Sequence, residues 1–265
     1  MRVHVVSDVH GNAEALARAG DGADALIVLG DLLNFVDYHD HGRGILGELF
    51  GPEKVAVFAE LRRGRQHGDT AKFARSLWAG LDNAAERIEA EIRAQYTELF
   101  GALTAPTYAT PGNVDTPALW TEYAPPGVQI LDNGETTEIG GLRVGFVGGA
   151  LLPPGATLRR TGIWLPYLRP ESDFAAAMDK LAGTGVDLLC SHVPPAVPEL
   201  TYDVVARRPE LGSTSLRAAI ERERPRWSVF GHVHQPLAQR ARLGRTECVN
   251  VGHFQRTGVP YVLRW

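Results

Sequence analysis

Asp8 with His10, Asp31, Asn113, His192, and His232 with His234 are the residues of this chain whose types and spacing point to chemistry. Carboxylate and amide oxygens together with neutral imidazole nitrogens suit divalent transition metals of intermediate hardness. In Asp8-Val9-His10 and His232-Val233-His234 the polar residues stand two apart, so in an extended segment both project to one side. Gly11, Gly30, Gly112 and Gly231 flank these residues and permit sharp backbone turns. Each residue also has an ordinary use. Asp8 and Asp31 suit turns or helix N-caps, Asn113 suits an Asx turn, and any one histidine suits a core or a loop. Their shared position argues for a site.

That position is the end of an apolar run. Val3–Val6 precedes Asp8 and His10, Ala25–Leu29 precedes Asp31, and Thr107–Ala109 precedes Asn113. Val186–Cys190 leads to His192, and Trp227–Phe230 to His232 and His234. Short Val-rich or Leu-rich runs bounded by polar residues predict buried strands. Asn12–Ala19, rich in Ala, Leu, Glu and Arg, predicts a helix that Gly20 ends. Strand, helix and strand in succession make a βαβ unit, whose sheet is covered on both faces. Ligands of open α/β sheets bind outside the carboxyl ends of the strands, so the seven side chains have a place to converge. Further strands are expected at Val128–Leu131, Leu142–Val147, Glu247–Val251 and Tyr261–Leu263, and helices at Ser172–Leu181 and Thr214–Arg222. Residues 34–103 differ, with helical spacing in Lys54–Arg63, Thr70–Leu81 and Asn83–Phe100, and read as a helical insertion within a single domain of residues 1–265. Pro194–Pro209 reads as an ordered loop.

In this order, Asp-Val-His, Gly-Asp, Gly-Asn, Ser-His and Gly-His-Val-His resemble the motif set of the calcineurin-like metallophosphoesterase superfamily. The resemblance implies an α/β fold, a four-layer α/β/β/α sandwich of two mixed sheets. It implies that Asp8, His10 and His234 bind one divalent ion, that Asn113, His192 and His232 bind another, and that Asp31 bridges them. Asp31, Asn113 and His232 then count as catalytic as well as ligating. The ions would be manganese, iron or zinc, with manganese favoured, and a hydroxide held between them would be the nucleophile. Such ions sit roughly 3.5–4 Å apart and clamp the attacking and leaving oxygens of an in-line displacement at phosphorus.

One departure is informative. Many members of the family follow Gly-Asn with a His that meets the phosphate, whereas this chain has Val114, which donates no proton. The expected reaction is hydrolysis of a small-molecule phosphate ester, a diester favoured over a monoester, with a steep dependence on leaving-group acidity; the rival view is that His41 or His253 replaces the missing acid. The alternatives are a degenerate member that keeps metals as a scaffold for partners, and a nuclease.

Composition bounds these choices. The chain has 265 residues and a net charge of −4, which gives no basic footprint for nucleic acid. A hydrophobic share of 44% and a charged share of 22% fit a globular protein. Only two cysteines, Cys190 and Cys248, suggest a reducing compartment, and no apolar run reaches the roughly 18 residues of a membrane span. With no signal-peptide pattern at the start, a cytoplasmic protein is expected. The cluster Asp37, Tyr38, His39, Asp40 and His41 reads as a solvated loop or a substrate-facing lip. Arg159 and Arg160 are weak phosphate-binding candidates. His4 reads as strand packing, His67 as solvated, Cys190 as a buried small hydrophobe, and His253 as a residue near the metals or the phosphate.

Overall fold

The computed structural model describes residues 1–64, 66–104, 106–157 and 164–265. Arg159 and Arg160 lie outside the described residues, as does the side chain of His67. The chain opens with β1 (Arg2–Val6), α1 (Ala13–Ala19) and β2 (Ala25–Val28). Four helices follow, α2 (Gly44–Phe50), α3 (Pro52–Arg63), α4 (His67–Ala79) and α5 (Ala84–Gly101). Then come β3 (Thr107–Ala109), α6 (Pro117–Tyr123), β4 (Val128–Ile130), β5 (Glu135–Ile139), β6 (Leu142–Val147), β7 (Ala150–Leu151) and β8 (Leu168–Arg169). After α7 (Glu171–Leu181) and β9 (Leu188–Ser191) lie α8 (Pro198–Thr201) and a small hairpin, β10 (Tyr202–Asp203) and β11 (Arg208–Pro209). The chain ends with α9 (Thr214–Glu223), β12 (Trp227–Phe230), β13 (Arg240–Leu243), β14 (Thr246–Asn250), α10 (Phe254–Thr257) and β15 (Tyr261–Arg264).

Two mixed sheets result. The first has the order β15-β1-β2-β3-β4, parallel except for β15. The second has the order β13-β14-β12-β9-β6-β5, parallel in its middle and antiparallel at both edges. Alternation along the strands divides the core into three. Val3, Val5 and Ile27 of the first sheet pack against Phe146, Cys190 and Val229 of the second. Val6, Leu26 and Val28 turn the other way, onto Leu16 of α1 and Tyr96 and Phe100 of α5. Leu189 and Phe230 turn outward onto Phe174 and Met178 of α7 and Ile220 of α9. The layering is therefore α/β/β/α. Burying one such Ile or Phe stabilises the fold by about 1.5–3 kcal/mol. β2 and β12 are buried on both faces, which is why they read as unbroken apolar runs.

Several boundaries differ from the sequence expectation. The helix expected from residue 12 starts at Ala13, because Asn12 is its N-cap and accepts the Ala15 N–H at 3.1 Å. Residues 194–209, expected as a loop, hold α8 and the hairpin β10–β11. Both α2 and α6 go unforeseen, each only seven residues long. Among the described residues, no helix is long and apolar enough to cross a membrane.

Candidate metal centre

Four of the seven sequence-predicted residues sit in left-handed backbone: Asp8 (φ 57°), His10 (φ 40°), Asp31 (φ 53°) and His232 (φ 67°). Such positions cost on the order of 1 kcal/mol or more each and persist only where the surroundings impose them. Here the strand ends are tied to one another. Asp8 N–H donates to Gly30 O (3.1 Å), His10 N–H to Asp31 O (2.9 Å) and Gly11 N–H to Leu32 O (2.8 Å). Within the second sheet Gly231 N–H donates to His192 O (3.0 Å), and across the sheets His232 N–H donates to Asp8 Oδ2 (2.9 Å).

The glycines act in two ways. Gly11 and Gly30 have positive φ, as expected for turns. Gly112 and Gly231 do not. They are needed for space, since a Cβ at Gly231 would overlap Ser7 Oγ and Asp8 Oδ2, and one at Gly112 would overlap Asp31.

The side chains converge. Asp31 Oδ2 lies 3.8 Å from His10 Nε2 and 3.5 Å from His192 Nε2. Asp8 Oδ1 lies 3.3 Å from His234 Nε2 and 3.9 Å from His10 Nε2, and the two Nε2 atoms of His10 and His234 are 3.3 Å apart. On the other side, His192 Nε2 lies 3.1 Å from Asn113 Oδ1, and the His192 and His232 rings pack edge to face with centroids 5.1 Å apart. His10 Nδ1 donates to Leu33 O (3.1 Å) and His192 Nδ1 to Leu29 O (2.8 Å), so in the neutral rings each Nε2 keeps a lone pair directed at the centre.

Electrostatics follow from this crowding. Burial works to raise Asp8 and Asp31, but the neighbouring histidines hold both low, Asp8 chiefly through His234 and Asp31, at about 2, chiefly through His192. Burial works to lower His192, yet the Asp31 carboxylate lifts it to about 9. His232 falls to about 4 through burial and the charge of His192, and His253 to about 3 through burial and His234.

Two buried, charged carboxylates among these imidazoles form a well for a cation, whose binding displaces the proton that His192 otherwise carries. Asp8 Oδ1 accepts no well-aligned hydrogen bond, although it is buried. Imidazoles fixed on backbone carbonyls by their second nitrogen are the usual support of metal-binding histidines. The residues present fit divalent ions.

Other candidates fall elsewhere. His4 is buried and its Nδ1 donates to Ala19 O (2.7 Å), a packing role. Asp37 organises its own loop, accepting the His39 and Asp40 N–H groups at 2.9 Å, and lines a cavity of about 280 Å³ with His39, Asp40, Arg43, Gln255 and Arg256. His41 has its Nε2 buried without a partner and joins no histidine group among the described residues. Val114 packs on the apolar cluster that holds Tyr96, while its N–H donates to Asp31 Oδ1 (2.9 Å). Cys190 is buried and its thiol is pushed well up by burial.

Sequence reasoning missed Asp115, the brace of the centre. Its carboxylate accepts the N–H groups of Asp31 and Gly112 (both 2.8 Å), Leu32 (3.0 Å) and Leu33 (3.3 Å), and burial and Asp31 raise it to about 7. Tyr96 of α5 adds its hydroxyl, which accepts the Thr116 N–H (2.7 Å) and donates to Asp115 Oδ1 (3.5 Å). The only local signal for Asp115 was a carboxylate two residues after Asn113.

Comparison with known proteins gives the family. The family model "Calcineurin-like phosphoesterase" matches residues 1–236. No curated protein sequence matches the chain significantly. One solved crystal structure superposes with a TM-score of 0.61 at 16% identity, over 96% of this chain and 91% of that one. The crystal structure of TT1561 of Thermus thermophilus superposes with a TM-score of 0.57 at 16% identity, over 99% and 98%. These likenesses carry the fold, and the family match carries the class: the chain belongs to the calcineurin-like phosphoesterases and is a metal-dependent hydrolase.

Proposed function

We propose that this protein is a two-metal phosphoesterase that hydrolyses a small-molecule phosphate ester. Asp8, His10 and His234 hold one ion, Asn113, His192 and His232 hold the other, and Asp31 serves both. The observation that supports this most is the position of Asp31 Oδ2, within 3.8 Å of His10 Nε2 and 3.5 Å of His192 Nε2. One carboxylate reaches both halves. Paired divalent ions, when bound, supply the charge that activates the attacking oxygen and steadies the leaving one.

The protein's own contribution is orientation. The Val114 N–H pins Asp31 Oδ1, which leaves Oδ2 toward the centre. The carbonyls of Leu33 and Leu29 fix the His10 and His192 rings. Manganese remains favoured over iron and zinc. A diester with an acidic leaving group is the favoured substrate, because Val114 offers no proton where a poor leaving group needs one.

Residues 34–103 form an insertion within one domain of residues 1–265 in this reading. Its support is that β2 and β3 are neighbours in the sheet, with Leu26 opposite Thr107, although α2–α5 lie between them in the chain. The insertion also reaches the centre, where Gln95 accepts the Asn34 N–H (2.9 Å) and Tyr96 meets Asp115. A cytoplasmic location belongs to the same reading, supported by two free, buried cysteines.

Turnover of an activated aryl phosphodiester, with metal content measured in parallel, tests the proposal. Wild type is expected to carry about two ions and to turn over with Mn²⁺. Asp31→Asn should lose at least about 100-fold, the upper end of what supporting residues alone cost. Full metal content and activity in Asp31→Asn would overturn the assignment. Bound metal without turnover of any ester would favour a scaffold.

A further inference from the structure

We propose that the cavity lined by Arg43 and Arg256, beside the metal centre, binds a second anionic group of the substrate, a phosphate or a carboxylate. This rests on the phosphoesterase reading and narrows its substrate class to esters that carry a further negative charge.

The cavity, of about 280 Å³, is walled by residues 37–43 and by α10. Two guanidiniums, Arg43 and Arg256, and two carboxylates, Asp37 and Asp40, line it with His39 and Gln255. Opposite charges brought together commonly pair, as Arg93 does with Glu122 and Arg217 with Glu221 elsewhere on this surface. Here they do not. The carboxylates are taken up by their own loop. Asp37 Oδ1 accepts the His39 and Asp40 N–H groups (both 2.9 Å), and its Oδ2 accepts Asn34 Nδ2 (3.2 Å) and Gln255 Nε2 (3.4 Å). Asp40 Oδ1 accepts the Gly42 N–H (3.1 Å). Burial works against the Asp37 charge, and the Asp40 and His39 N–H groups, Asn34 and the Arg43 charge sustain it. Among the described residues neither guanidinium has a hydrogen bond or an ion pair. Both are exposed, so their donors are open to a ligand, and planar guanidinium forks match the oxygens of phosphate and carboxylate.

One side chain joins this cavity to the centre. Gln255 Nε2 donates to His10 O (3.0 Å) as well as to Asp37 Oδ2, so a single amide touches the loop of a proposed metal ligand and the wall of the cavity. Gln255 N–H donates to Asp8 O (2.9 Å) and Asn12 Nδ2 to Gln255 O (2.9 Å), which ties α10, and with it Arg256, to that loop. Arg43 is fixed from the other wall, where its N–H donates to Asp40 O (2.9 Å). A group bound in the cavity therefore lies next to the loop that carries Asp8 and His10. Arg256 stands beyond residue 236, where the family match ends, so the family's motifs do not account for it.

The arginines would meet a part of the substrate that does not react. Such contacts hold ground state and transition state alike, so they act on KM and leave kcat nearly as it is.

The Mn²⁺-loaded enzyme is to be assayed on two aryl diesters that differ only in a remote phosphate, thymidine 5′-(p-nitrophenyl phosphate) and its 3′-phosphorylated form. The nucleoside serves only as the tether. Wild type should show a KM at least about tenfold lower for the 3′-phosphorylated ester, the scale of one hydrogen bond to a charged group, at similar kcat. Arg43→Gln combined with Arg256→Gln should abolish that advantage and leave the KM of the plain ester nearly unchanged. Equal KM values in wild type would overturn the proposal, as would a double variant that keeps the preference or loses equally on both esters. Should the double variant not fold, wild type still decides through salt. Added salt should raise the KM of the 3′-phosphorylated ester more than that of the plain one, and an equal response would overturn the proposal. A wild type that turns over neither ester would remove the phosphoesterase reading, a distinct result. Calorimetry with thymidine 3′,5′-bisphosphate against thymidine 5′-phosphate then decides the cavity alone, and equal affinities would overturn it.

Discussion

Asp115 Oδ2 accepts the backbone N–H of Asp31 at 2.8 Å, across 84 positions of sequence. The same carboxylate takes three more N–H groups from Leu32, Leu33 and Gly112, so one side chain closes the turn that aims Asp31. Asp115→Ala would strand buried donors, each costing about 1–3 kcal/mol, though not additively. We expect a stability loss of about 3 kcal/mol or more in urea denaturation, with weaker metal retention. A loss under about 1 kcal/mol would show that the turn holds itself.

Metal removal should be read in the melting curve. Asp8 and Asp31 remain charged inside the protein, and an ion that binds only the folded state stabilises it by mass action. At a hundred times its dissociation constant, one ion contributes about 2.7 kcal/mol. Chelator should lower the Tm, and Mn²⁺ should raise it as concentration grows. A curve indifferent to both contradicts an occupied centre.

Val114→His addresses the missing acid. Substitution leaves the backbone N–H on Asp31 Oδ1 intact, so the bridge should survive. In wild type, rates should fall steeply as the leaving group becomes less acidic. The variant should flatten that slope and gain up to about 10²- to 10⁴-fold on poor leaving groups. Wild-type rates that ignore leaving-group acidity would mean another group already supplies the proton.

Gly231→Ala should disturb the centre without replacing a ligand. Its methyl would press on Ser7 and Asp8, and overpacking of this kind costs about 1–3 kcal/mol. Gly68→Ala in α4, with nothing within 4 Å, is the control and should be neutral or slightly stabilising. Equal behaviour of the two variants in metal content and thermal unfolding would contradict the close packing at Gly231.

The cysteines make a simple chemical probe. Burial raises Cys190 well above its ordinary value and Cys248 to about 12, so neither offers thiolate near neutral pH. Thiol reagents should find almost nothing in the folded protein and both residues in denaturant. Rapid labelling of native Cys190 would mean that the space between the sheets opens, and of Cys248 that the helices lift off the second sheet.

The ligand candidates are legible in the sequence because strands buried on both faces are written as unbroken apolar runs, and each run ends on a polar residue. Asp115 is not legible, because its partners at residues 31–33 are distant in sequence and no local pattern joins them. The left-handed backbone at Asp8, His10, Asp31 and His232 leaves only a faint trace in residue type, Asp and His being enriched there, since it comes from loops pulled onto one another. Helix α2 is hidden for a different reason. It opens on Gly44 and contains Gly47, residues that read as a loop, yet a Cβ at Gly47 would overlap the backbone of Gly42. The motifs name the parts of the centre, and the contacts that aim them are tertiary.

The pairing of β1 with β15, Arg2 opposite Arg264, sets an order of assembly. On the ribosome β1 emerges long before β15, so one of its edges stays open until residues 261–264 are made. Such distant pairing raises contact order and slows folding. Meanwhile an apolar strand edge is exposed to other chains, a hazard of large nascent proteins. Chaperone dependence and aggregation of chains stopped before β15 follow from this. Asp8 and His10 are synthesised early and must wait for His234 and the closing strand.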